Sequence, residues 1–226
     1  MKYPKINTIW KRDETPGKKN RIIEGELSCP EFANIRNWLI TEKVDGTNIR
    51  VTFTSSNGGR VDFEGRNENS SLSVDLMRFL IAKFPAEKFR EVFTKSETDQ
   101  NTGVTSVTIP GEITLYGEGY GKPIKNDIKY RNDASFILFD VYIDGYWLER
   151  ANIEDIASKF GIRAVPAIGV MDIEKAIAYL KSKPGSDVVT SIPQTIEGIV
   201  ARAEPMVLFR KDKNPIMWKL KIKDFK

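Results

Sequence analysis

Polar and apolar positions alternate with two different periods along this chain, and the changes of period mark out its elements. Trp38-Leu39-Ile40-Thr41-Glu42-Lys43 predicts a strand over 38–43, and Ile49, Val51 and Phe53, alternating with polar residues, predict another over 48–54. Asp45-Gly46 marks the turn between them, and Asn57-Gly58-Gly59 marks a hairpin loop over 55–59. Val61 and Phe63 carry the alternation through 60–66. The spacing of Leu72, Leu76, Phe79 and Leu80 then predicts a helix over 72–84, with a second over 85–95. A short helix is expected over 30–37, since Pro30 is tolerated in a first turn. Strands are expected over 112–118, 136–143, 197–202, 206–210 and 216–222. Helices are expected over 152–160, between Asn152 and Gly161, and over 172–183. Residues 11–21, 96–108 and 121–134 read as polar connections. The pattern is that of an α+β protein built on antiparallel sheets flanked by helices.

Composition narrows the chemistry. The chain has 226 residues, 40% of them apolar, enough for one large core, and a single domain over 1–226 is expected. No apolar run approaches the ~20 residues that span a bilayer, and Met1-Lys2-Tyr3-Pro4 does not open a secretory signal. Cys29 is the sole cysteine, which excludes an intrachain disulfide and points to a reducing cytoplasm. With no histidine, proton transfer falls to Lys, Asp, Glu or Tyr, and any metal must be a hard cation on oxygen ligands. The net charge of +4 is uneven: residues 1–21 carry +5, residues 210–226 carry +5, and the middle carries −6. Basic ends around an acidic middle suit a polyanion outside and a metal within.

Lys43 ends a strand just before the Asp-Gly turn, where an amine meets backbone N–H groups. A free lysine is unprotonated to only roughly 0.04% at pH 7, so a nucleophilic one needs nearby cations, a metal or burial. Arg66, at a strand end, has the fork that grips phosphate or ribose oxygens. Glu118 lies among glycines in Tyr116-Gly117-Glu118-Gly119, where a ligand can approach the backbone. In Phe136-Ile137-Leu138-Phe139-Asp140-Val141, alternation puts Ile137, Phe139, Val141 and Ile143 on one face, with Phe139 a candidate base-stacking ring or plain core. Glu197 opens an apolar strand, and Lys219 and Lys221 share one strand face, an arrangement that favours an anion between them.

The order Lys43-Val44-Asp45-Gly46, Glu118, Phe139-Asp140, Glu197-Gly198-Ile199-Val200 and Lys219-Leu220-Lys221 resembles the covalent nucleotidyltransferases, the ATP-dependent ligases and mRNA capping enzymes. Within them, Glu42-Lys43 followed by Gly46-Thr47-Asn48 resembles the nick-sealing RNA ligases of the RNA ligase 2 type. The resemblance implies an ATP-grasp-like ligase adenylylation domain in which Lys43 takes AMP from ATP and passes it to an RNA 5′-phosphate before a 3′-hydroxyl seals the strand. It implies Glu42 at the adenine edge, Asn48 and Arg66 near the α-phosphate and ribose, Glu118 on the ribose and Phe139 on the base. It further implies Glu197 as catalytic and metal carboxylate, Lys219 and Lys221 on the phosphates, and Mg²⁺ or Mn²⁺ bridging phosphate oxygens. The expected partner is RNA ends, including a nicked duplex, held by a monomer through its basic ends or with a partner's help. The chain ends five residues after Lys221, so no C-terminal OB-fold is expected. A DNA ligase, a guanylyltransferase-like enzyme and a non-catalytic nucleic-acid end-binding module are the competing readings.

Overall fold

The two periods of the sequence become mostly antiparallel sheets and four helices in the computed structural model, which describes residues 1–15, 21–66, 72–100, 102–124, 130–189 and 193–225. The strands are β1 (Asn7–Thr8), β2 (Trp10–Arg12), β3 (Ile22–Leu27), β4 (Trp38–Lys43), β5 (Thr47–Thr54), β6 (Arg60–Gly65), β7 (Lys95–Thr98), β8 (Thr105–Thr108), β9 (Glu112–Tyr120), β10 (Ser135–Ile143), β11 (Tyr146–Trp147), β12 (Arg163–Ala164), β13 (Ala167–Met171), β14 (Gly198–Ala203) and β15 (Met217–Lys221). The helices are α1 (Val74–Lys83), α2 (Ala86–Phe93), α3 (Arg150–Lys159) and α4 (Ile173–Lys181). None of them is long and apolar enough to cross a membrane.

The chain forms two compact units, residues 1–3 with 46–164 and residues 4–45 with 165–226, so it passes from one to the other within the Asp45-Gly46 turn. In the unit containing 46–164, strands β11-β10-β9-β5-β6 form a sheet, with β12 beside β10. Its helix-covered face buries Ile49, Val51, Phe53, Leu115, Phe136 and Leu138 against Leu76, Leu80, Phe89 and Ile153. Ser73 caps α1 by accepting from the Leu76 N–H, satisfying a donor that the helix leaves unpaired. In the other unit, the sheet runs β1-β15-β14-β4-β13. Ile40, Ile199, Ala201, Trp218 and Leu220 pack there with Trp38, Ala176 and Leu180, and Trp38 meets Trp218 edge-on at 5.8 Å. Burying such a side chain contributes about 3 kcal/mol.

Several expectations are corrected. The helix expected from Asn152 begins at Arg150 with Glu149 as its cap, so Asn152 sits inside the first turn; Gly161, at φ 60°, does end it. The helix expected over 30–37 is a 3₁₀ turn, Pro30–Asn34. The expected loop 96–108 contains the β7–β8 hairpin, whose residues are exposed on both faces and so leave no apolar alternation to read. Residues 206–210 form no strand: Leu208 makes only an isolated bridge to Pro215, which has no N–H to extend a ladder. Residues 11 and 12 belong to β2, while 16–20 and 125–129, within the other expected polar connections, lie outside the described residues. The stretch 152–193 holds more than helices, since it supplies β13, which pairs with the lysine-bearing strand β4.

Candidate active site

Register decides what stands beside Lys43. β14 lies between β4 and β15, with Gly198 opposite Lys43 on one side and Lys221 on the other. One step along, Val200 lies between Thr41 and Lys219. Since successive side chains point to opposite faces, Thr41, Lys43, Val200, Lys219 and Lys221 share the face turned away from the apolar core. The strands come so close at Gly198 that a Cβ there would lie 2.2 Å from the Leu220 carbonyl oxygen.

Glu197, the residue before β14, brings its carboxylate between the two lysines. Lys43 Nζ donates to Oε2 at 2.5 Å, and Lys221 Nζ meets Oε1 at 2.5 Å. The side chains of Lys43, Glu197 and Lys221 are 21%, 13% and 22% exposed, so the charges are mostly withdrawn from water yet reachable. Their surroundings are fixed by backbone bonds: Ile222 N–H donates to the Glu197 carbonyl, and Lys221 N–H donates to Asp224, which also accepts from Arg12. Two ammonium groups on one carboxylate leave a net positive site suited to a polyphosphate, with Glu197 the nearest acceptor for a proton leaving Lys43. Among the described residues no group of three Asp, Glu, Cys or His side chains could hold a metal alone. A single hard carboxylate fits Mg²⁺ or Mn²⁺ arriving with a nucleotide, because such ions keep several waters and are bound through one or two carboxylates plus substrate phosphates.

Glu42 turns the other way. Its side chain is 3% exposed and accepts from the Ser186 hydroxyl and, at 3.1 Å, from the Asp187 N–H. Burial, followed by the charges of Asp187 and Glu42, raises the pKa of the Tyr179 phenol.

The remaining candidates lie in the other unit. Asn48 pairs with Glu118 and Glu118 with Ile137, which forms one row across β5, β9 and β10 on the face away from the helices. Gly65 pairs with Ile49, so Arg66, exposed at a bend, leaves β6 one residue on from that pair. Gly46 is required by closeness, since a Cβ would lie 2.1 Å from the Gly119 carbonyl oxygen and 3.1 Å from Glu118 Cγ. The expected face of β10 is corrected: a bulge between Leu138 and Asp140 inserts one residue, Phe139. Phe136, Leu138 and Val141 therefore all reach the helix-side core, and Phe139, partly buried, lies outside it. Its ring stands edge-on to Tyr3, 4.9 Å between centroids. Tyr3 in turn donates to Asp140 at 2.8 Å, and Asp140 is fully buried.

Sequence reasoning missed Tyr3, Ser186 and Asp187. Asp140, an acid inside an apolar run, was the one available signal that a partner such as Tyr3 was needed. Nothing in the pattern around 186–187 pointed to a buried carboxylate 144 residues away.

A family model described as RNA ligase matches residues 36–221. The chain belongs to the RNA ligase family. Solved structures of the Naegleria gruberi RNA ligase share its fold. A mutant of that ligase with ATP and Mn matches with a TM-score of 0.57 at 14% identity, covering 87% of this chain and 52% of that one. Another mutant, with AMP and Mn, matches at 0.60 and 13%, covering 99% and 56%. The form with PPi matches at 0.59 and 14%, covering 100% and 57%. This RNA ligase family chain thus spans little more than half the length of those proteins. No curated protein matches its sequence.

Proposed function

We propose that this chain is an ATP-dependent RNA ligase of the nick-sealing, RNA ligase 2 type, a single nucleotidyltransferase domain over 1–226 that works as a monomer in a reducing cytoplasm. The observation that carries the reading is the Lys43–Glu197–Lys221 cluster, a mostly buried amine with a proton acceptor at 2.5 Å and a second cation on the same carboxylate. In the first step Lys43 Nζ attacks the α-phosphorus of ATP. The N–P bond forms as the bond to the pyrophosphate oxygen breaks, and the amine proton passes to Glu197. Lys219 and Lys221 hold the phosphates and neutralise the leaving pyrophosphate. Asn48 and Arg66 meet the α-phosphate and ribose, Glu118 accepts from a ribose hydroxyl, Phe139 offers its ring to adenine, and Glu42 lies behind the adenine edge.

Mg²⁺ or Mn²⁺ bound through Glu197 and the phosphates would supply charge neutralisation at the phosphate oxygens. The RNA 5′-phosphate then displaces Lys43 from the adenylate, and the strand's 3′-hydroxyl attacks that activated end, forming the phosphodiester and releasing AMP. Structures of the Naegleria ligase with ATP and Mn, with AMP and Mn, and with PPi contain the nucleotide and both fragments of such a first step.

The test is to incubate the protein with Mg²⁺ and α-labelled ATP or GTP, and then with nicked RNA and nicked DNA. The expected result is an acid-labile, alkali-stable adenylate on Lys43 from ATP alone, as a phosphoramidate requires, followed by sealing of RNA nicks. A guanylate adduct would indicate a capping-type enzyme, and preference for DNA nicks would indicate a DNA ligase. Absence of any adduct would leave an end-binding module.

A further inference from the structure

Neighbouring residues of β4 hold the two arms of one loop. The first arm, 184–188, follows α4, and the second, 194–197, delivers Glu197 to β14. The arms are tied together: Ser186 N–H donates to the Gln194 carbonyl at 2.8 Å, Ile196 N–H donates to the Pro184 carbonyl at 3.1 Å, and Gly185 bridges Thr195. Lys43 touches the end of the second arm through Glu197. Glu42 grips the first, with Ser186 Oγ on Oε1 and the Asp187 N–H on Oε2. Consecutive strand residues face opposite ways, so the Glu42 carboxylate has no direct route to the lysine face. Its route to that face runs through the tied arms.

We propose that Glu42 is a positioning residue, which sets the Glu197 carboxylate against Lys43 by anchoring the 184–188 arm at Ser186 and Asp187. The inference rests on the lysyl–AMP reading of the site. A buried carboxylate that keeps both acceptor oxygens satisfied makes a firm anchor, because losing it takes from the 184–188 arm its bonds at the Ser186 hydroxyl and the Asp187 N–H. Glu197 stands before β14 begins, its carbonyl held by the Ile222 N–H, so the arm that leads into it governs how its side chain approaches Lys43. A displacement of about 1 Å at a reacting group costs on the order of a hundredfold in rate.

The experiment measures single-turnover lysyl–AMP formation across ATP concentrations, with hydrogen exchange of the two arms read in parallel. Glu42→Ala is expected to lower the saturated rate by about tenfold or more while changing the half-saturating ATP concentration by less than about twofold. Ser186→Ala should lower the rate less, and the double variant should be no slower than Glu42→Ala alone, because both changes break one anchor. Glu42→Gln should restore most of the rate, since its amide can accept from Asp187 and donate to Ser186. Amides of residues 186, 194 and 196 should exchange faster in Glu42→Ala than in Glu42→Gln. A weaker ATP response or acceptance of GTP at an unchanged saturated rate would overturn the proposal and make Glu42 a base-reading residue. So would unaltered exchange in the arms. Failure of the wild type to form any adduct would overturn the reading of the site itself, whereas adduct formation at equal saturated rates in wild type and Glu42→Ala would overturn this inference alone.

Discussion

The two units carry their candidate residues in opposite styles. The unit with β4, β14 and β15 concentrates charge: Lys43, Glu197 and Lys221 are ion-paired and mostly buried on one sheet face, beside Lys219. The unit with β5, β9 and β10 sets an amide, an acid and an aromatic ring, Asn48, Glu118 and Phe139, away from its helix-side core, with the Arg50–Glu64 ion pair on the same sheet face and Arg66 exposed at the end of β6. Charge is costly to bury and strong once desolvated, so the first arrangement suits bond-making at phosphorus. A mixed polar and aromatic face is cheap to solvate and reads shape and hydrogen bonds, so the second suits holding a nucleoside. Variants of the charged face should therefore lose rate, and variants of the other face should lose nucleotide affinity.

The largest effect is expected from Lys43→Ala, which removes the nucleophile. No adenylate should form at any ATP concentration, measured by label retained on the denatured protein, and Lys43→Arg should not rescue it because a guanidinium stays protonated. Next comes Lys221→Ala, expected to slow adduct formation about a hundredfold, the scale of removing one transition-state charge contact. Lys219→Ala should slow it as well, since Lys219 shares the sheet face of Lys43 and Lys221. If both left the saturated rate intact and raised only the ATP requirement, the division between the faces would fail.

A smaller effect, and of the other kind, is expected from Phe139→Ala. Base stacking on an aromatic ring is worth about 1–3 kcal/mol, so the half-saturating ATP concentration should rise roughly five- to a hundredfold with the saturated rate nearly kept. Glu118→Ala should raise it by about tenfold, the scale of a hydrogen bond to a charged group. ATP titration of single-turnover rates separates the two parameters. A fall in saturated rate alone for Phe139→Ala would place that ring outside nucleotide binding.

How much of this was legible depended on whether a feature was local. The strand that ends in Lys43, its turn and the period-two pair Lys219 and Lys221 could be read directly, because period and turn chemistry act over a few residues. Gly46 and Gly198 stood in the motif, and the reason for each is a carbonyl within 2.2 Å of where a Cβ would go, on a strand distant in sequence. The meeting of Lys43 with Glu197, 154 residues apart, could be anticipated only through the family resemblance, since periodicity contains no information about which strands pair. The β10 bulge was invisible because Phe136 to Ile143 is a nearly continuous apolar run that marks no register, and only pairing with β9 reveals the extra residue. Glu42 shows the same limit: strand geometry turns its side chain toward Ser186 and Asp187, a placement that no local pattern carries.

The smallest effect is the one that isolates position from charge. Lys95 carries the same ammonium as Lys221, but it stands fully out on β7 of the two-stranded hairpin, opposite Thr108. An exposed lysine with water on all sides holds its charge at high dielectric, where contacts are worth a few tenths of a kcal/mol. Lys95→Ala should therefore change melting by less than about 0.5 kcal/mol and the adenylylation rate by less than about twofold. Measured beside Lys221→Ala under one salt concentration, it controls for the general loss of positive field that any lysine deletion brings. Should the two variants slow the reaction equally, net charge rather than the Glu197-centred geometry would be what drives the first step, and the contrast between the two faces would lose its meaning.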